Sequence, residues 1–263
     1  MTYLEKLASR SREARTLVCV GLDPDFKKHR VEDLGDYNRA IIEATAPYAA
    51  CYKPNLAFYE QYGIEGLRQL EKTLAAIPPG IPVIGDAKRG DIGNTAAAYA
   101  RSLFEHWGFD AVTVNPYQGR ESVDPFLAYE DRGVYVLCRT SNESSREFQE
   151  LDLQGGRRLY EEVALTASSW SPRVGLVVGA TAPAELARVR ALAPSATLLV
   201  PGVGAQGGRA EDVIAAAGGE PGTLVVNASR SIYYAADGPE FAEAAGLAAR
   251  ALRDELSLAA ASA

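Results

Sequence analysis

The chain alternates between two kinds of segment. Short apolar runs of four to seven residues, each bounded by Gly, Pro or Asn, recur at Leu17–Leu22, Ala50–Lys53, Pro82–Lys88, Ala111–Asn115, Val134–Arg139, Val174–Gly179, Thr197–Pro201 and Thr223–Asn227. Their apolar character is nearly continuous, which is the pattern of parallel strands covered on both faces. Longer stretches with helical spacing lie between them, at Tyr37–Tyr48, Gly66–Ile77, Thr95–Trp107, Ser122–Asp131, Arg157–Ser168, Pro183–Leu192, Ala210–Ala217 and Pro239–Leu258. Met1–Arg15 reads as a further helix ahead of the first strand. Eight strand–helix units in strict alternation predict an α/β fold, a TIM (β/α)8 barrel forming one domain over residues 1–263, with the N-terminal helix plugging or flanking it. A doubly wound open sheet would place a Gly-rich turn after the first strand. Here that strand runs into Leu22-Asp23-Pro24-Asp25 instead. The longest irregular stretch, Ser141–Gly156, is polar and reads as a lid or binding loop.

Composition narrows the function. The chain is 47% hydrophobic and 23% charged, ordinary globular values. Its formal net charge is −7 with no basic face, which argues against a nucleic-acid partner. No apolar run approaches the roughly 18 residues of a membrane span. Met1–Arg15 is charged and lacks the apolar centre of a signal peptide. Cys19, Cys51 and Cys138 are odd in number and set in or beside apolar runs, as expected of reduced thiols in a cytoplasmic protein. There is no CxxC pair, and His29 and His106, the two histidines, read as surface residues. A zinc site therefore lacks ligands, and no metal is expected.

In a TIM barrel the chemistry sits at the C-terminal ends of the strands. Those ends carry Asp23, Lys53, Asp86 with Lys88, Asn115, Arg139 to Ser141, Thr181, Pro201 and Asn227. Asp86 and Lys88 are two apart and share one face of the third strand. Asp91 lies beyond Gly90, in the loop leading to a helix that Asn94 would cap, so its reach differs from that of Asp86. An Asp–Lys pair alone could be an interior ion pair. Lys53 on the preceding strand makes a Lys–Asp–Lys–Asp cluster, costly as core and well suited to an active site. Arginines outnumber lysines 21 to 6 and no lysine follows Lys88, so the few that remain stand out. Strand seven leads into Pro201-Gly202-Val203-Gly204-Ala205-Gln206-Gly207-Gly208, and strand eight into Asn227-Ala228-Ser229-Arg230. Glycines that admit an anion to backbone N–H groups, with an arginine fork beside them, predict a phosphate site.

The segments Val20-Gly21-Leu22-Asp23-Pro24, Cys51-Tyr52-Lys53-Pro54-Asn55, Asp86-Ala87-Lys88-Arg89-Gly90-Asp91-Ile92-Gly93, the glycine-rich loop after strand seven, and Ser229-Arg230 resemble orotidine 5′-phosphate decarboxylase, in its longer bacterial subfamily. The resemblance runs from about Leu17 to Tyr234. It implies decarboxylation of orotidine monophosphate to UMP without a cofactor. It also implies a charged array of Lys53, Asp86, Lys88 and Asp91. Asp91, Ile92 and Thr95 would reach into the site of a second subunit, making the enzyme a homodimer. Asp23 and Lys53 would hold the ribose, Ser141 the pyrimidine, and Gln206 and Arg230, with backbone groups nearby, the 5′-phosphate; Pro201 and Ser229 are also expected to bind the substrate. Two rival readings remain: a magnesium-dependent phosphosugar lyase or decarboxylase on the same barrel, and a non-catalytic nucleotide-binding barrel. The magnesium enzymes take a carboxylate from strand two, where this chain has Lys53.

Overall fold

Each apolar run forms a strand: β1 (Val18–Gly21), β2 (Cys51–Lys53), β3 (Ile84–Arg89), β4 (Ala111–Val114), β5 (Gly133–Arg139), β6 (Val174–Val178), β7 (Leu198–Pro201) and β8 (Leu224–Ala228). The computed structural model describes residues 1–25, 27–28, 30–204 and 207–262, the side chain of residue 262 excepted. All pairings are parallel, in the order β2-β1-β8-β7-β6-β5-β4-β3. The β2–β3 seam that would complete the circle holds only the isolated bridges Tyr52–Val83 and Asn55–Asp86. This is the expected TIM barrel, its ladders running from β2 round to β3 with register shifts in β3–β4 and β5–β6, and its last seam reduced to isolated bridges.

The runs are continuously apolar because each strand is buried on both sides. Successive side chains alternate between faces. Val18 and Val20 join the outer core under the helices, while Cys19 joins an inner core with Cys51, Ile84, Ala111, Tyr135, Val177, Leu199 and Val225. The N-terminal helix, Tyr3–Ala14, plugs the barrel. Its Tyr3 and Leu7 belong to the inner core, and the Tyr3 and Tyr135 hydroxyls are 2.8 Å apart. A capping box between Thr2 and Glu5 starts that helix.

The helices depart from expectation in several places. The segment expected as Ser122–Asp131 shrinks to one turn, Asp124–Leu127, which suffices to bury Phe126 before the chain enters β5. The helix after β3 begins at Gly93, so Asn94 lies inside its first turn and is not the cap; Ile92 holds that position. The same helix ends at Arg101 and continues as a π turn over Ser102–His106. Finally, the stretch 141–156 is not structureless: it contains the turns Glu143–Ser145 and Arg146–Gln149.

Candidate active site

The charges collect at the irregular β2–β3 seam. β2 ends at Lys53 and β3 carries Asp86 and Lys88, so the three side chains meet at the C-terminal rim of the barrel. Lys53 Nζ donates to Asp86 Oδ2 at 2.9 Å, and Lys88 Nζ donates to Asp86 Oδ1 at 2.5 Å. Lys53 and Asp86 are buried, whereas the Lys88 side chain is 46% exposed. Asp23, just past β1, is half-buried and accepts the Asn55 N–H at 3.2 Å.

Electrostatics keep the buried pair ionised. Burial by itself would push the Asp86 carboxyl up, but the Lys53 and Lys88 ammoniums outweigh it and hold the group well below the usual carboxylate range. Burial would likewise lower Lys53; the charges of Asp86 and then Asp23 outweigh it and lift the ammonium above its ordinary value. A carboxyl whose folded pKa is depressed contributes stability that is complete above its unfolded value, about 3.9, and is lost as pH falls toward the folded one. The wild-type thermal midpoint is therefore expected to drop below about pH 4, and Asp86→Asn to flatten that acid limb. Calorimetric melts from pH 2 to 6 check this; an unchanged slope in the variant would contradict it.

Lys88 does not sit in a regular strand. The β3–β4 ladder pairs Gly85 with Val112 and Arg89 with Val114, leaving Asp86, Ala87 and Lys88 opposite Thr113 alone. Within this bulge Lys88 adopts φ +46°. That is the left-handed region, which costs a non-glycine residue about 1–2 kcal/mol. The Lys88 N–H donates to Thr113 Oγ1 at 3.0 Å, and Thr113 Oγ1 donates to Asp86 Oδ1 at 2.9 Å.

Lys53 and Asp86 open onto a cavity of about 580 Å³, a volume suited to a small-molecule ligand. Asp23 and Asn55 line it beside the charges; Pro201, Ser229 and the exposed Arg230 line the end formed by the loops after β7 and β8. Two glycines set positions at this rim. A Cβ on Gly21 would lie 3.0 Å from the Ser229 Cα, and one on Gly179 would lie 2.9 Å from the Ser141 Cα. Each bare backbone thus makes room for a serine on the neighbouring loop.

Several expected site residues lie elsewhere. Ser141 is half-buried against Gly179, outside the cavity lining. Asp91 is half-buried, its carboxylate accepts the N–H of Ile92, and within one chain it does not line the cavity. Ile92, 47% exposed, and the exposed Thr95 are also outside it. Gln206 and His29 fall outside the described residues, and His106 is exposed. The loop bearing Ser141 is pinned from beneath by buried Arg139, which donates to Glu150 Oε1 at 2.6 Å and to Ser145 Oγ at 2.5 Å. Thr113 escapes a reading of strand ends. Its one signal is a hydroxyl in an otherwise apolar strand beside the Asp86–Lys88 strand.

Residues 16–245 match the family model described as orotidine 5′-phosphate decarboxylase / HUMPS family. The chain is 49% identical to the orotidine 5′-phosphate decarboxylase of Thermomicrobium roseum, over 97% of this chain and 95% of that one. Leishmania donovani OMP decarboxylase superposes with a TM-score of 0.85 at 43% identity, covering 97% of this chain and 100% of that one. Leishmania donovani UMP synthase superposes with a TM-score of 0.90 at 44% identity. That match covers 98% of this chain and 56% of the longer one, so the chain spans little more than half of that protein.

Proposed function

The chain belongs to the orotidine 5′-phosphate decarboxylase / HUMPS family, and we propose that it carries out the decarboxylation with Lys88 as the cation at the reacting carbon. The enzyme is a carboxy-lyase of pyrimidine biosynthesis, converting orotidine 5′-phosphate to UMP and carbon dioxide. The observation that carries the mechanism is the buried Asp86 carboxylate held between two ammonium groups at the edge of a nucleotide-sized cavity.

Breaking the bond between C6 and the carboxylate leaves an electron pair on C6. A preorganised ammonium beside that carbon stabilises the developing charge and then donates its proton, forming the C6–H bond. Lys88 regains a proton from solvent. Asp86 positions Lys88 and lies near the departing carboxylate, where like charge raises the ground-state energy. Asp23 and Lys53 hold the ribose hydroxyls, and Ser141 contacts the pyrimidine. Pro201, Gln206, Ser229 and Arg230 hold the phosphate, whose binding energy, remote from the reacting carbon, favours closure of the loops over the base. No cofactor enters this scheme.

Asp91, Ile92 and Thr95 serve the site of a second copy in a homodimer. The support is their place outside their own chain's cavity and the exposed apolar side chain of Ile92. Among the described residues no helix is long and apolar enough to cross a membrane. The buried thiols of Cys19, Cys51 and Cys138 suit a reducing, cytoplasmic setting.

The magnesium-dependent phosphosugar reading needs a carboxylate on strand two; a lysine there repels a cation. The non-catalytic reading leaves the costly charged array without a purpose. Loss of absorbance near the orotate band on adding orotidine monophosphate, with chelator present, tests the assignment. UMP binding without carbon dioxide release would overturn it. Arg230→Ala is expected to weaken UMP binding about 10- to 100-fold, the worth of a charge-assisted contact, and to leave uridine binding unchanged. Calorimetry with both ligands checks this, and equal losses would exclude the phosphate role.

A further inference from the structure

We propose that Thr113 is a positioning residue that aims Lys88 for proton delivery, an inference that rests on the role assigned above to Lys88. The β3 bulge takes three residues, Asp86 to Lys88, out of the β-ladder opposite a single residue of β4. A bulge leaves backbone groups without ladder partners. The Lys88 N–H is such a group, and it finds the Thr113 hydroxyl at 3.0 Å. That hydroxyl has one hydrogen to give, and it goes to Asp86 Oδ1 at 2.9 Å. The direction is forced: an amide N–H only donates, and an ionised carboxylate only accepts.

A closed ring of contacts results. It runs from the Lys88 backbone to Thr113 Oγ1, from there to Asp86 Oδ1, and from Oδ1 back to Lys88 Nζ at 2.5 Å. The ring ties the lysine's side-chain tip to its own backbone. The tie matters because the Lys88 side chain is 46% exposed and has a long, flexible stem. The same ring holds the φ of +46° that turns this residue out of the strand. Thr113 is 1% exposed and does not line the cavity, so it acts on the reaction through Lys88 and Asp86 and touches no substrate.

A hydroxyl role and a packing role rank two substitutions in opposite order. Thr113→Val keeps the shape and removes the hydroxyl; Thr113→Ser keeps the hydroxyl and removes a methyl. The Val variant is expected to lose about 10- to 100-fold in kcat, the usual cost of a misplaced reacting group, with KM changed less than about threefold. The Ser variant should stay within about threefold of wild type in kcat. If Val does not yield folded protein, Thr113→Ala against Ser gives the same ranking, since both remove the methyl and only Ser keeps the hydroxyl. Lys88→Ala is assayed alongside. If it retains turnover, the role of Lys88 itself fails. If it is inactive while Val (or Ala) turns over as fast as Ser, the Thr113 proposal is overturned.

Discussion

Lys88→Ala is expected to lose at least about 10⁴-fold in kcat while still binding UMP. Two contributions disappear together in this variant. Electrostatic stabilisation of developing charge is worth about 10²–10³-fold, and proton delivery by a positioned acid about 10²–10⁴-fold. The binding groups survive, because Asp23, Lys53, Ser229 and Arg230, which line the cavity, are unchanged in the variant. Asp86 also keeps partners: Lys53 still donates to Oδ2 and Thr113 to Oδ1. The variant should therefore fold around a still-paired carboxylate. Stopped-flow or long-time absorbance assays, with UMP calorimetry on the same sample, measure both halves. Turnover within about tenfold of wild type would remove Lys88 from the chemistry.

Mixing inactive Lys88→Ala and Asp91→Ala homodimers should restore about a quarter of wild-type activity. Random exchange makes about half of the dimers hybrid, and each hybrid holds one site with both groups intact. The expectation comes from Asp91 lying outside its own chain's cavity, two residues before a helix whose Thr95 is also exposed. Native mass spectrometry confirms exchange, and the decarboxylation assay reads the recovery. Full exchange without recovery would place Asp91 in its own subunit's site or in none.

Much of this site is legible along the chain because barrel strands bury both faces and so tolerate charge only at their ends. Lys53 and Asp86 stand at the ends of continuous apolar runs and can be picked out for that reason, as can Ser229 and Arg230 after β8. Asp86 and Lys88 were expected together from two-residue spacing, and they do meet, but across a bulge that spacing does not reveal. Thr113 is invisible in one dimension, since its importance lies in facing three residues of another strand at once. Gly21 and Gly179 are similar: only the approach of Ser229 and Ser141 shows why a side chain is excluded there.

By itself the amino-acid order determined the period and hydrophobicity of the segments, hence the eight strands and the barrel, because burial of apolar runs is a local, additive driving force, while the motifs around Asp23, Lys53, Asp86 and Arg230 carried the resemblance to the family. Tertiary structure alone decided that the β2–β3 seam is irregular, that Lys88 turns left-handed there, and that a threonine from β4 ties it down. Those outcomes depend on hydrogen bonds between residues far apart in the chain, whose partners exist only once the barrel has closed.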